Sequence, residues 1–407
     1  MGVMWGAILL RYSRRNRLLR KLLVALLVFV LVDFVSFAGV SIDRGAPELS
    51  EDDYPSSPIK TVYIASTHWN SEKVLRRWNK AVVDLVRKLG TDNVYVSVYE
   101  SGSWDNSKQL LRLLDRTLDQ LGVNRTITLD ETTHVDEIER PPGDDAGWID
   151  TARGKRELRR VPYLSRLRNK ALEPLEQLTA AGKTFDRIIF LNDVVFSTAD
   201  VMALLHTRDG SYAAACSLDY SKPPHFYDTF ALRDSNGNAA FSEVYPYFSS
   251  RASRKALAYR APVPVESCWN GIAVFDPQPF VSGTAPLRFR GIPDSLAKYH
   301  LEGSECCLIH ADNPLTSSRG VWVNPNVRVG YSPDAYDAVR AWPSTTEVIT
   351  GWWKASGASL LGLPWRQKQI SERVRAWERE NPGQSEPGLH CLIDEMQVLV
   401  HNGWAHV

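Results

Sequence analysis

The chain is short of the features that usually give a function away. Forty-eight basic residues against 47 acidic ones leave a net charge of +1 over 407 residues. Such a balance supplies no field to steer nucleic acid, and no basic stripe interleaved with aromatics is present. Five cysteines, Cys216, Cys268, Cys306, Cys307 and Cys391, lack CxxC spacing, which argues against a structural zinc module. Their odd number leaves at least one thiol unpaired within the chain. In an oxidising lumen one or two disulfides are open to it, with a connectivity that spacing does not decide. Neither GxGxxG nor GxxxxGK[ST] occurs. Ser66-Thr67-His68-Trp69-Asn70 stands at the first strand-to-helix turn instead, against a dinucleotide-binding or P-loop fold. There is no internal repeat and no low-complexity tract.

What is present begins with an asymmetry. Leu22 to Val40 is a 19-residue apolar run interrupted by Asp33 and Ser36, just long enough to cross a bilayer. Six basic residues, Arg11 to Lys21, precede it, and Asp43, Glu48, Glu51, Asp52 and Asp53 follow. The positive-inside rule then puts residues 1–21 in the cytosol and the remainder across the membrane, as a retained signal anchor. A cleaved signal peptide is the competing reading, but no clear A-x-A site follows. Residues 41–58, acidic and rich in Pro and Ser, read as a stem, so the folded domain is expected over 59–407.

From there the pattern alternates: a strand Thr61 to Ala65, a helix Ser71 to Leu89, a strand Asn93 to Tyr99 and a helix Ser107 to Leu121. Strands alternating with helices of that length predict βαβ units and a largely parallel sheet, an α/β fold. Asp130 to Gly147 is expected as a loop, Pro162 to Ala181 as a helix kinked or divided at Pro174, Val263 to Phe275 and Val321 to Val329 as strands, and Arg366 to Glu380 as a surface helix.

Phe185 to Asn238 is the richest stretch. Ile188 to Leu191 reads as a strand buried on both faces, with Asn192 and Asp193 at its carboxyl end, where ligands of open α/β sheets bind. An Asn-Asp pair also suits a capped turn, with Ser197-Thr198 capping a helix Ala199 to Leu205. Leu191-Asn192-Asp193-Val194, Thr207-Arg208-Asp209-Gly210, Cys216-Ser217-Leu218-Asp219, Lys222-Pro223-Pro224 and the run Phe226 to Asp234 resemble the fungal capsule-associated α-1,3-mannosyltransferase family. Further likeness lies at 96–104, 162–174, 268–275, 304–312 and 388–404, so it spans most of the chain beyond about residue 58.

The resemblance implies a single-domain, metal-dependent nucleotide-sugar transferase with a Rossmann-like α/β fold. It would move mannose from GDP-mannose to an α-mannoside acceptor in α-1,3 linkage with retention, as a type II membrane protein of the Golgi with a lumenal domain. Asn192-Asp193 stands where such enzymes carry Asp-x-Asp. Asp193 would then be the strong ligand of Mn²⁺ or Mg²⁺, and His310, placed as a strand-end residue in Leu308-Ile309-His310-Ala311-Asp312, the second. Thr67, Arg168, Asn169 and Asn192 are the expected nucleotide contacts, Arg168 taking the diphosphate through its planar fork, with Arg166 its rival. Trp269, Asn270 and Gly271 would form the acceptor floor, Trp269 stacking on a sugar. Glu305 and then Asp219 are the carboxylates expected nearest the reacting sugars. The alternatives are another donor on the same fold, such as UDP-xylose, or a non-catalytic glycan-binding subunit.

Overall fold

The computed structural model describes residues 59–142, 147–339, 346–351 and 363–407, with a few positions between 17 and 32. The expected anchor and stem lie largely outside them, and among the described residues no helix is long and apolar enough to cross a membrane.

One ten-stranded sheet organises the rest. Its first strands are β1 (Val62–His68), β2 (Val94–Ser101) and β3 (Asn124–Asp130). A small separate hairpin, β4 (Trp148–Asp150) and β5 (Arg156–Leu158), precedes β6 (Arg187–Leu191), β7 (Ala214–Lys222), β8 (His225–Phe226) and β9 (Arg233–Asp234). Then come β10 (Val263–Ser267), β11 (Ile272–Phe275), the short β12 (Glu302–Gly303) and β13 (Val321–Gly330). β14 (Leu392–Ile393) pairs with β12, and β15 (Gln397–Val400) with β16 (Gly403–His406) closes a C-terminal hairpin.

The sheet runs β3-β2-β1-β6-β11-β7-β13-β10-β9, with β8 hydrogen-bonded to β7. Strands β3, β2, β1 and β6 are parallel, β11 is antiparallel to both β6 and β7, and β13 is parallel to β7. The Rossmann-like α/β expectation is therefore met, as a mixed rather than wholly parallel sheet. The chain order reverses between β1 and β6, and the crevice beyond their carboxyl ends is the place where such sheets bind ligands.

Both faces are covered, which is why the strands read as continuous apolar runs. Ile188 and Phe190 share one core with Tyr163 and Leu167 of the helix Arg160–Lys170 and with Ile309 of the helix Glu305–Ala311. Ile189 and Leu191 point the other way, into a core with the helices Glu72–Leu89, Ser107–Gln120 and Thr198–Leu205. Ser197 caps the last of these, its hydroxyl accepting from Asp200 N, as its position beside the apolar run suggested.

One expectation is met in a particular form and two change. Pro174 does divide the segment 160–181, but as a first-turn residue of a second helix, Glu173–Ala180, where its missing N–H costs nothing. Part of the expected loop 130–147 is the helix His134–Glu139, held by a reciprocal Thr133–Asp136 capping box. Val263 to Phe275 is two strands, because Asn270 and Gly271 take left-handed φ values of 52° and 88° and interrupt the extended backbone between β10 and β11.

Two disulfides form, Cys216–Cys268 and Cys307–Cys391, leaving Cys306 buried as a thiol.

Candidate active site at the switch point of the sheet

Asp193 sits just beyond β6, where the sheet opens. Ser71 Oγ donates to its Oδ2 at 3.4 Å, and burial lifts the carboxyl from 3.8 to about 6 against the pull of Ser71 and Arg168. The neighbouring turn brings in Asp219. A Cβ on Gly271 would lie 2.5 Å from Val329 Cγ2, 3.2 Å from Asp219 Cβ and 3.4 Å from Val194 Cγ1, so only glycine lets β7 close against the Asp193 turn. Asp219 is fully buried, and desolvation, then the charge of Asp228, raises it to about 7. Tyr331 donates its hydroxyl to Asp219 Oδ2 at 3.0 Å, and the Asp228 amide donates to Oδ1 at 3.2 Å. Asp228 is itself raised by burial, while the Phe230 and Ala231 amides, each 3.1 Å from its Oδ1, pull the other way. Burial and then the charge of Asp219 raise the phenol of Tyr227, whose amide donates to the Asp219 carbonyl at 3.0 Å.

The positive side of the site comes from the helix Arg160–Lys170. Arg168 Nε donates to Glu305 Oε1 at 3.0 Å, and its guanidinium lies 4.4 Å from the Trp269 ring centroid. Glu305 is 3% exposed, and its position opposite Arg168 is fixed one residue before that helix. There the buried Arg159 donates to Glu302 Oε2 and Oε1 at 3.1 and 2.7 Å, tying the helix start to the segment entering Glu305–Ala311. Removing one partner of such a pair costs about 3–5 kcal/mol. Arg160 donates to Gln397 Oε1 at 2.6 Å in the C-terminal hairpin.

The expected site residues divide into two groups. Asp193, Asp219, Glu305 and Arg168 come together, joined by Arg160, Asp228, Tyr227 and Tyr331, which sequence reasoning left unassigned. Thr67 is half-buried at the carboxyl end of β1, in register with Tyr99, on the same edge. Arg166 is turned away to Glu137 at 2.8 Å.

The others are occupied structurally. Asn169 spends both ends of its amide on Phe289, donating to its carbonyl at 2.8 Å and accepting from its amide at 3.0 Å. The Asn192 side-chain oxygen accepts from Trp269 Nε1 at 3.0 Å, so it is committed to the core rather than offered to a cation. Trp269 is 2% exposed, packed by Phe190, Phe275 and Phe289 and covered by Arg168, so it has no face for a sugar. Asn270 is also buried, donating through Nδ2 to the Asp228 carbonyl at 3.1 Å. With Gly271 it shapes the turn under the carboxylates instead of meeting an acceptor.

His310 departs furthest from expectation. Leu308-Ile309-His310 is helical, not the end of a strand, and the ring is fully buried over Phe275 with centroids 5.3 Å apart. Its Nε2 lies 2.6 Å from the Cys268 carbonyl, which assigns the proton to Nε2, and burial lowers the ring to about 4. Phe275 is in register with Ile188 on β6, five residues before Asp193 (193 − 188), or roughly 16 Å of strand. The shared Asp193–His310 cation site is therefore not formed. His310 instead borders a cavity of about 580 Å³ with Trp322 and His390, lined in part by Gly320 and Val321 at the opposite end of β13 from Val329, the partner of Asp219.

A hard divalent cation fits what remains. Asp193 offers a desolvated carboxylate with one long hydrogen bond, a single strong ligand whose cation would take phosphate oxygens for its remaining positions. Among the described residues, the groups of three ligand atoms within 4.8 Å of one another are Cys216, Cys268 and His310, and Cys307, His390 and Cys391, whose sulfurs are tied up as disulfides.

Residues 61–312 match the family model described as cryptococcal mannosyltransferase 1. The α-1,3-mannosyltransferase CMT1 of Cryptococcus neoformans is 29% identical over 274 residues, 62% of this chain, which spans 54% of that relative's length. Among solved structures, a Pyrobaculum calidifontis mannosyltransferase in complex with GDP-Man and Mn²⁺ aligns over 90% of this chain and 87% of its own, with 12% identity and a TM-score of 0.37. TarS of S. aureus in complex with UDP covers 79% of this chain and 81% of its own, at 13% identity and a TM-score of 0.36. On the family match, which takes in more than half of its residues, the chain belongs to the cryptococcal mannosyltransferase 1 family.

Proposed function

We propose that the chain is a glycosyltransferase that moves mannose from GDP-mannose to an α-mannoside, making an α-1,3 linkage with retention. One observation carries this reading. Asp193, Asp219, Asp228, Glu305, Arg160 and Arg168, the charged groups assembled at the switch point, all fall inside the family-matched segment 61–312.

Asp193 would hold a divalent cation, whose chemistry is to neutralise charge on the leaving diphosphate. Arg168, anchored through Nε to Glu305, has a planar fork suited to phosphate oxygens. Burial keeps Asp219 near 7, so at neutral pH it is shared between acid and carboxylate, able to donate to or accept from a sugar hydroxyl. Glu305, paired with Arg168 Nε at 3.0 Å, supports positive charge developing at the anomeric carbon. Retention then proceeds by front-side displacement or by a transient carboxylate adduct.

The two disulfides favour an oxidising compartment, in line with a lumenal Golgi domain behind the anchor expected over 22–40. Resistance of the domain to protease in intact microsomes tests that placement.

The decisive experiment is nucleotide release from a panel of nucleotide sugars with a mannoside acceptor and Mn²⁺ or Mg²⁺. GDP from GDP-mannose is expected. UDP release from UDP-xylose would replace the donor. Glycan binding without any nucleotide release would favour the non-catalytic reading, for which the Asn192 amide committed to Trp269 is the supporting observation.

A further inference from the structure

With Trp269 sealed in the core, the surface around the carboxylates offers other rings. Tyr227 is 52% exposed and Trp404 43% exposed. Neither ring is loose. Tyr227 leans on Tyr331, centroids 4.7 Å apart, and Tyr331 is the residue that donates to Asp219. Trp404, on β16, lies over the Arg160 guanidinium at 3.8 Å, on the helix that carries Arg168 to Glu305. Tyr227 therefore borders the site on the Asp219 side, and Trp404 borders it on the Arg160 side. Beyond them, the turn between β15 and β16 places His401 in a parallel stack with Trp104, itself 50% exposed, with 5.3 Å between centroids.

A neutral pyranose matches this surface. Its C–H face lies flat on an aromatic ring, and its hydroxyls seek donors and acceptors between the rings. Here Arg160 supplies donors, because among the described residues its side chain makes one hydrogen bond, to Gln397. Asp228 supplies an acceptor. A flexible surface would lose more entropy on binding, whereas these rings are already held by Tyr331, Arg160 and His401.

We infer that Tyr227 and Trp404 form the acceptor platform, on which a pyranose of the acceptor glycan stacks with its hydroxyls directed to Arg160 and Asp228, and that Trp104 extends it for a longer chain. This rests on the glycosyl-transfer reading for its orientation towards the carboxylates. It also makes the C-terminal hairpin, which lies outside the matched segment 61–312, the part of the chain that selects the acceptor.

The test is saccharide binding, independent of turnover. Saturation-transfer NMR and titration calorimetry with α-mannobiose and methyl α-mannoside, on the full chain with GDP present, should show binding that Trp404→Ala weakens about tenfold and Trp404→Phe largely retains. Tyr227→Leu should weaken it comparably, whereas Tyr227→Phe, which keeps the ring, should not. Melting temperatures near wild type identify the loss as one of contact; if Trp404→Ala melts far lower, Tyr227→Leu decides. Unchanged affinity in a well-folded Trp404→Ala or Tyr227→Leu protein, or no saccharide binding by the wild type, overturns the platform. Ring-dependent binding in a protein that releases no nucleotide would sink the transferase reading and leave the platform standing.

Discussion

Asp219 offers the sharpest physical test of the site. Its carboxyl is fully buried and held at about 7 rather than 3.8, first by desolvation and then by Asp228. The folded protein therefore holds a proton that the unfolded chain releases near pH 4, and each tenfold mismatch in proton affinity corresponds to 1.36 kcal/mol. The sign follows directly. Stability from this group is fully present below about pH 4 and is lost progressively as pH rises to 7, above which the curve is flat. Between pH 5 and 8 the loss amounts to roughly 3 kcal/mol for this residue alone, part of it shared with Asp228. Asp219→Asn removes the titration while keeping an oxygen for the Tyr331 hydroxyl. Urea unfolding of the chelator-treated protein at half-unit pH intervals should thus show a falling stability in the wild type and a much flatter profile in the variant, whatever the constant offset between them. Equal slopes in the two proteins across that window would refute the electrostatic account of the site.

Other substitutions probe separate parts of the construction. Arg168→Lys keeps the charge but cannot reproduce a planar fork, so the donor KM should rise about tenfold or more in steady-state assays while acceptor KM stays near wild type. Gly271→Ala must place a Cβ 2.5 Å from Val329 Cγ2 at a φ of 88°, so calorimetry should show a loss of about 1–3 kcal/mol, with activity falling as Asp219 is displaced. His310→Ala should destabilise the fold by about 2–4 kcal/mol through loss of the Cys268 bond and the Phe275 stack, yet leave Mn²⁺ affinity measured by titration unchanged. Loss of Mn²⁺ binding there with stability intact would restore the cation role withdrawn from it above.

Local chemistry alone made a good part of this molecule legible. The apolar run Ile188 to Leu191, the alternation of strands and helices after residue 60, and Ser197 before an apolar stretch each reflect interactions within a few residues, so pattern was enough to find β6, the βαβ units and the capped helix. Asp193 at a strand end follows from the same reasoning. What pattern could not settle was which side of the sheet a distant residue reaches. Leu308-Ile309-His310 is apolar in a way that suits strand or helix, and only packing over Phe275 and the Cys268 carbonyl decides for a helix and turns His310 away from the carboxylates. Trp269 is likewise as suited to a sugar as to a core until Phe190, Phe289 and Arg168 close around it. Arg160 carries no motif of its own, and Asp228 lies in the run Phe226 to Asp234 without a role that the run assigns to it. They become part of a site because a strand register, a glycine at 271 and the Arg159–Glu302 pair bring charges far apart in sequence into one desolvated opening, where their energies depend on each other.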